Sequence, residues 1–213
     1  MIKILIADDH QLIREGLKKT LADECDMKVA AEASSGEDVL ELIRRNEFDI
    51  IVMDLSMPGL SGLDLIKRIK NESPKIPILV LSMHPEERFA VRAIKAGASG
   101  YLTKENTPQK LVEAIRKIVN SGKYITPSLG ERLAAELDDM KSQLPHELLS
   151  DREYQIFILI SSGVSVKEIC EKLFLSVSTV HTYRTRILEK MKLNSDCDLT
   201  HYAIKHGLID LNL

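Results

Sequence analysis

The amino-acid sequence predicts an α/β chain in which a five-stranded, parallel, doubly wound sheet is followed by a small all-α domain. Three observations lead there. Short apolar runs alternate with amphipathic helix patterns over the first 121 residues, as happens where helices cover both faces of a parallel sheet. Four of the runs end on a charged or hydroxyl residue: Asp8 and Asp9 after Ile2 to Ala7, Asp54 after Ile50 to Met53, Ser82 after Ile76 to Leu81, and Lys104 after Gly100 to Leu102. Beyond Gly122 the alternation stops, and the remaining patterns are helical, separated by short polar turns.

Taken in order, the strands are expected at Lys3 to Ala7, Lys28 to Ala33, Ile50 to Met53, Ile78 to Leu81 and Gly100 to Leu102. The intervening helices are expected at Gln11 to Glu24, where Ile13, Leu17 and Leu21 share a face, and at Glu37 to Asn46, Leu63 to Asn71, Glu87 to Ala96 and Pro108 to Asn120. Ser34-Ser35-Gly36, Met57-Pro58-Gly59, Gly97 and Gly100 mark turns, and Pro108 suits the first turn of its helix. An amphipathic linker helix around Leu129 to Gln143, with Leu129, Leu133, Leu137 and Met140 in register, is ended by Leu144-Pro145.

In the tail, Ser-x-x-acid patterns stand before three helices: Ser150 to Glu153 and Ser165 to Glu168 as full capping boxes, and Ser195 to Asp198 with aspartate in place of glutamate. A further helix starts at Ser176 or Ser178. This predicts four short helices near 151–161, 166–173, 177–191 and 196–206, the last stopped by Gly207.

A length of 213 residues fits two modest domains better than one large one. The balance of 29 basic against 32 acidic residues is ordinary for a soluble protein, so net charge alone does not point to nucleic acid. Cys25, Cys170 and Cys197 are far apart, odd in number and lack metal-ligand spacing, so they read as small core residues of a reduced compartment. No apolar stretch approaches the roughly 20 residues that a membrane helix needs. The amino terminus enters a strand without signal-peptide features, and the cytoplasm is the expected location.

Ligands of open α/β sheets sit at the carboxyl ends of the strands, so the side chains that follow the apolar runs are expected to converge on one crevice. Three carboxylates there repel one another unless a divalent cation is present, and hard oxygen ligands suit Mg²⁺. This is an arrangement for phosphate chemistry. Asp8-Asp9, Asp54 followed by Met57-Pro58-Gly59, Ser82 and Lys104, in that order at strand ends, resemble the flavodoxin-like receiver domain of two-component response regulators over about the first 121 residues.

The resemblance implies that Asp54 is the phosphoacceptor, attacking a phosphoryl group through its carboxylate. It implies that Asp9, Asp54 and the Ser56 carbonyl hold Mg²⁺, with Asp8 acting through water or orienting the shell. Lys104 would neutralise phosphoryl oxygens, Ser82 would supply the hydroxyl that moves onto the phosphate, and Tyr101 the aromatic that swings inward behind it. Ser56 and His84, two residues beyond acceptor and hydroxyl, would line the path of the attacking water. Serine stands at 82 where threonine is commoner, and Glu105 stands where many receivers have proline.

The tail from Leu149-Ser150-Asp151-Arg152-Glu153 to Gly207 resembles a LuxR-type helix-turn-helix domain of the NarL/FixJ class, through Gly163, Lys167-Glu168-Ile169, Leu173, Leu175-Ser176, Ser178-Thr179-Val180 and Ile187-Leu188-Glu189-Lys190-Met191. Tyr183-Arg184, Leu199-Thr200-His201 and Ala203 to Leu208 are most similar to the GacA type of global regulator, which implies genes for small regulatory RNAs among the targets. On the helix from Ser178 to Met191, Val180, Ile187, Leu188 and Met191 have core spacing. The resemblance assigns His181, Thr182 and Thr185 to base edges in the major groove, and Ser178, Thr179, Arg186 and Lys190 suit phosphates. Lysine is common in the family at 181 and valine at 184, where this chain has His181 and Arg184. In family members the last helix, here Asp196 to His206, pairs the tails, with Leu199 and Tyr202 or Ala203 expected in that contact; the competing reading, for Leu199 above all, is that this helix only completes the core.

The expected organisation is therefore a receiver domain at 1–121, a helical linker at 122–147 and a DNA-binding domain at 148–213. The resemblance implies that a sensor histidine kinase phosphorylates the receiver and that the tail binds double-stranded DNA as a transcriptional regulator, as a homodimer when phosphorylated. No enzyme activity is expected beyond the receiver's own phosphoryl transfer and dephosphorylation. Two alternatives compete. A receiver-driven protein-interaction module would use the tail mainly to dimerise. A haloacid-dehalogenase-type aspartyl-phosphate phosphatase would need an Asp-x-Asp nucleophile after its first strand, whereas Asp8 and Asp9 are adjacent and Asp54 follows the third.

Overall fold

The computed structural model describes residues 1–57, 61–83, 86–106, 108–138 and 144–209, the side chains of 87, 88 and 135–138 apart. Pro58, Gly59, His84, Met140 and Gln143 lie outside the described residues. The chain divides into two compact units, Met1–Leu133 and Ala134–Leu213.

In the first unit β1 (Ile2–Ala7), β2 (Met27–Ala33), β3 (Ile50–Met53), β4 (Ile78–Ser82) and β5 (Gly100–Thr103) form one sheet in the order β2-β1-β3-β4-β5. Every pairing is parallel. The helices that return the chain are α1 (Gln11–Ala22), α2 (Gly36–Arg45), α3 (Gly62–Glu72), α4 (Glu86–Ala96) and α5 (Pro108–Ser121). Strand order reverses between β1 and β3, the switch point where such sheets place their ligands.

β1 from Ile4 onward, β3, and β4 as far as Leu81 are apolar and buried because both of their faces are covered. Ile4, Ile6, Ile50, Val52, Leu79, Leu81 and Leu102 pack with Leu111, Ala114, Ile115 and Ile118 of α5 and Leu21 of α1. Their alternates Leu5, Ile51, Met53 and Val80 are equally buried and, by the two-residue strand period, face the other helix layer. Edge strand β2 instead alternates buried and exposed residues, and its register on β1 shifts between Ile4 and Leu5.

α6 (Pro127–Asp138) begins two residues before the predicted linker helix, whose expected end lies outside the described residues, and of its apolar face Leu129 is fully buried and Leu133 half-buried. Then follow a short 3-10 helix (Pro145–Leu148), α7 (Asp151–Ser161), α8 (Val166–Leu173), α9 (Val177–Met191) and α10 (Asp196–Lys205). These bounds match the predicted tail helices to within a residue. α7 is central, with Tyr154, Ile156, Phe157, Ile158 and Ile160 all buried, and α9 and α10 pack on it.

Both predicted capping boxes form, at Ser150 with Glu153 and Ser165 with Glu168. At Ser195 the hydroxyl accepts from the Asp198 amide, but the shorter Asp198 carboxylate takes its return bond from the Asn194 amide, at 3.2 Å. Of the two candidate starts for α9, the cap is Ser176, which accepts from the Thr179 amide, and Ser178 lies inside the first turn.

Glu153 does more than cap. It is buried, and its Oε2 accepts from Lys190 Nζ at 2.6 Å, tying α9 to the start of α7. Burial alone would raise its pKa, but the Lys190 ammonium and the Ser150 donors outweigh burial and hold it below the ordinary value. A depressed acid contributes stability that is present above its unfolded pKa and lost as pH falls through the folded one. Glu153→Ala is therefore expected to cost roughly 1–3 kcal/mol near neutrality, the worth of a cap and of bonds to a charged group. Thermal melts of wild type and variant should converge on acidification below the ordinary glutamate range, and a gap that widened there would contradict this assignment.

Candidate phosphoacceptor and nucleic-acid-binding sites

The backbone carries each functional side chain just past its strand. The Asp8 amide donates to the Ala33 carbonyl (3.1 Å), the Asp54 amide to Ala7 (2.8 Å) and the Lys104 amide to Ser82 (2.8 Å). Ala7 pairs with Met53, so Asp8 and Asp54 stand level on adjacent strands. Met53 pairs with Val80 and Ser82 with Thr103, which sets Ser82 one residue beyond that level and Lys104 one beyond Ser82.

Lys104 Nζ then bridges the two acids, 2.6 Å from Asp8 Oδ2 and 2.8 Å from Asp54 Oδ2, with all three side chains more than nine-tenths buried. Burial raises the pKa of Asp54 above the ordinary aspartate value, and repulsion from Asp8 adds to this against the pull of Lys104. Burial would lower that of Lys104, yet Asp54 and Asp8 together raise it, so the lysine stays charged. Asp54 Oδ1 accepts the Ser56 amide at 3.2 Å. Ser82 and Tyr101 are fully buried, and Tyr101, adjacent to Leu102, points to the sheet face opposite the Leu102 cluster. The Lys104-Glu105 peptide is trans.

Gly62, at the start of α3, meets the chain just past the acceptor. A Cβ there would lie 2.5 Å from Leu55 Cα and from the Leu55 carbonyl oxygen, so only glycine lets α3 close on this loop. Two residues that the sequence reading passed over complete the site. Arg14 donates to the Asp8 carbonyl at 2.7 Å, and the amide of His10 donates to Asp8 Oδ1 at 2.8 Å, with its Nδ1 2.9 Å from Asp9 Oδ1. His10 was legible as a metal-binding residue type beside two aspartates; Arg14, six residues from Asp8, was legible only after folding.

Ligand atoms of Asp8, Asp9, His10 and Asp54 lie within 4.8 Å of one another. Asp9 Oδ1 is buried and accepts no hydrogen bond, since the His10 Nδ1 beside it at 2.9 Å is not aligned to donate. An acceptor oxygen without a hydrogen bond beside two further carboxylates fits a small, hard divalent cation. This cluster can hold a metal ion.

In the second unit α8, a tight turn and α9 form the helix-turn-helix. Phe174 turns the chain in the left-handed region (φ 53°), and the Leu175 amide donates to the Cys170 carbonyl. Val180, Ile187 and Met191 are buried and Leu188 half-buried, as their spacing requires. Ser178, His181, Thr182, Thr185 and Arg186 are exposed on α9, and Thr179 is half-buried. A cleft of 270 Å³ is lined by Ser178, Thr179, Thr182, Tyr183 and Arg186, adding Tyr183 to the predicted set.

Two basic residues of α9 are engaged within the unit. Lys190 pairs with Glu153, as described, and Arg184 Nε lies 2.7 Å from Asp196 Oδ1, clamping the start of α10. That pair accounts for an arginine at 184. On α10, Leu199 and Ala203 are fully buried inside the unit, so the expectation that they contact a second tail is corrected. They fill the core against α7. Tyr202 is half-buried, its hydroxyl 2.9 Å from His146 Nδ1 and its ring stacked on His206. The exposed stripe of α10 is instead Cys197, His201 and Lys205. The expectation that the cysteines are core residues is corrected as well: Cys197 and Cys25 are exposed and Cys170 is half-buried, because each lies in a polar turn or on a polar helix face rather than an apolar one.

A parallel five-stranded sheet with this acid-lysine cluster, joined to a helix-turn-helix unit, defines a signal receiver coupled to a DNA reader. The response regulator receiver domain matches residues 4–116, and the luxR family of bacterial regulatory proteins matches residues 147–203. The chain belongs to the two-component response regulators of the NarL/FixJ class, with a receiver and a LuxR-type DNA-binding domain, and it regulates transcription. It is 40% identical over 209 residues to the response regulator UvrY of Escherichia coli strain K12, covering 98% of this chain and 96% of UvrY. It is 38% identical over 211 residues to the response regulator GacA of Pseudomonas aeruginosa strain PAO1, covering 99% of each. Among solved structures, RcsB from Salmonella enterica serovar Typhimurium, bound to promoter P1flhDC in the presence of phosphomimetic BeF3-, superposes with a TM-score of 0.63 at 25% identity, over 94% of this chain and 97% of RcsB. No described helix is long and apolar enough to cross a membrane.

Proposed function

We propose that Asp54 accepts a phosphoryl group from a phosphohistidine of a sensor histidine kinase in the cytoplasm, and that the modified chain acts as a dimer on DNA. The observation that carries this is the Lys104 ammonium bridging the buried carboxylates of Asp8 and Asp54. An Asp54 carboxylate oxygen forms the new bond to phosphorus while the phosphorus–nitrogen bond breaks, its electron pair leaving with the imidazole, which takes up a proton. Asp9, Asp54 and the Ser56 carbonyl would hold Mg²⁺, with Asp8 orienting its shell. When bound, the ion neutralises phosphoryl charge and aligns the transfer. Lys104 would turn from Asp54 to the phosphoryl oxygens. Ser82 would donate to the same group, and Tyr101 would fill the space behind it. On this reading the chain catalyses only its own phosphorylation and dephosphorylation.

For DNA, the exposed N-terminal half of α9 is the reading surface, and the likeness to RcsB, itself bound to a promoter, supports DNA binding by the chain. His181, Thr182 and Thr185 would face base edges; Ser178, Thr179 and Arg186 would face phosphates. Lys190 would also reach phosphate, sharing its charge with Glu153, so its removal disturbs folding as well as binding. Arg186 gives the cleaner test. Arg186→Ala should weaken binding to all sequences and reduce the salt slope by about one unit, whereas Thr182→Ala or His181→Ala should change the preference among sites by roughly 1–3 kcal/mol. Titrations of a site and a scrambled duplex across salt concentrations separate the two classes, and a uniform loss in all three variants would remove the division.

A further inference from the structure

The start of the linker is fastened to the receiver at two places, each beside a residue of the proposed switch. After α5 the chain runs along the open edge of the sheet, where Tyr124 bridges Gly100 and its amide donates to the Ser99 carbonyl at 2.8 Å. Gly100 precedes Tyr101 in β5. The second fastening is a carboxylate: Glu86 Oε1, in the first turn of α4 and four residues past Ser82, accepts from both Thr126 Oγ1 and Ser128 Oγ. Thr126 is itself the cap of α6. Its Oγ1 accepts the Leu129 amide (3.2 Å) and its carbonyl accepts the Gly130 amide (2.9 Å). One oxygen of α4 thus holds the residue that starts the linker helix.

The clasp stands on the wall of an open cleft of 510 Å³ that is also lined by Met83, next to Ser82, and by Thr103, next to Lys104. Glu86 itself is only half-buried on this open side, so its carboxylate can leave the two hydroxyls without displacing a packed side chain, whereas Leu129, fully buried, anchors α6 while its first turn stays docked. We infer that the Glu86–Thr126–Ser128 clasp is a latch that holds the linker helix on the receiver and that the phosphoryl group at Asp54 releases through the end of β4. The latch rests on the phosphoacceptor reading proposed above. Latched and unlatched states are two positions of one element, and a ligand shifts them by its differential affinity for the two.

The test is amide hydrogen exchange on the full chain, unmodified and after acetyl phosphate with Mg²⁺, the phosphorylated fraction being read from the intact mass. Phosphorylation should speed exchange over 128–133 by about 5- to 150-fold, the usual span of a coupling between sites. Glu86→Ala should show that fast exchange without a phosphoryl group, Ser128→Ala should show part of it, and Glu86→Gln, whose amide oxygen still accepts, should stay slow. Because coupling is reciprocal, Glu86→Ala should also bind beryllofluoride more tightly than wild type, which a merely structural contact would not produce. Full phosphorylation with unchanged exchange over 128–133 overturns the latch alone. Absence of any adduct removes the phosphoacceptor reading and the latch with it.

Discussion

Asp54→Asn is expected to abolish phosphorylation by acetyl phosphate, leaving no hydroxylamine-labile adduct where wild type carries one. The amide oxygen is a far weaker nucleophile than the carboxylate that Lys104 and burial prepare, and Asp54 is the residue that the β1–β3 register sets level with Asp8. Intact-mass measurement before and after acetyl phosphate checks it. Asp9→Asn should retain Asp54 but lose a carboxylate charge at the metal cluster, so its labelling should slow and require more Mg²⁺. The same ion should raise the melting temperature of wild type, by an amount equivalent to about 2.7 kcal/mol at one hundred times its dissociation constant, and raise that of Asp9→Asn less. Undiminished labelling of Asp54→Asn would place the acceptor elsewhere.

The second large effect is on DNA. Beryllofluoride activation is expected to raise affinity for a palindromic site by about 5- to 150-fold, the result of a coupling of roughly 1–3 kcal/mol between receiver and tail. Dimerisation would supply part of it, since two copies of α9 must span half-sites about one helical turn, roughly 34 Å, apart. With Leu199 and Ala203 committed to the core, the surface that α10 can offer a partner is the stripe of Cys197, His201 and Lys205. Sedimentation alongside titration of unmodified and activated protein reads both quantities. Equal affinity and equal mass in the two states would leave a constitutive DNA binder and no switch.

The sequence by itself determined the order of elements and the chemistry at the strand ends. Short apolar runs can become only buried strands or buried helix segments, and their length with the turns around them decides between the two. Asp8, Asp9, Asp54, Ser82 and Lys104 were therefore legible, because a residue just beyond such a run has one place to go in a parallel sheet. The capping serines were legible for a similarly local reason, since the cap bonds lie within three residues. What crosses the chain was not. Lys104 reaching Asp8 and Asp54, Arg14 holding the Asp8 carbonyl, Gly62 against Leu55, Arg184 on Asp196 and Lys190 on Glu153 pair residues that local periodicity cannot relate. The same limit explains Leu199 and Ala203. An apolar stripe on a short helix reads alike whether a core or a second copy covers it, and the packing of α10 on α7 decided for the core. Glu86 shows it most plainly: a carboxylate in the first turn of a helix has a sufficient local role there, favouring the helix dipole. Only the tertiary structure brings Thr126 and Ser128, some 40 residues away, onto its oxygen.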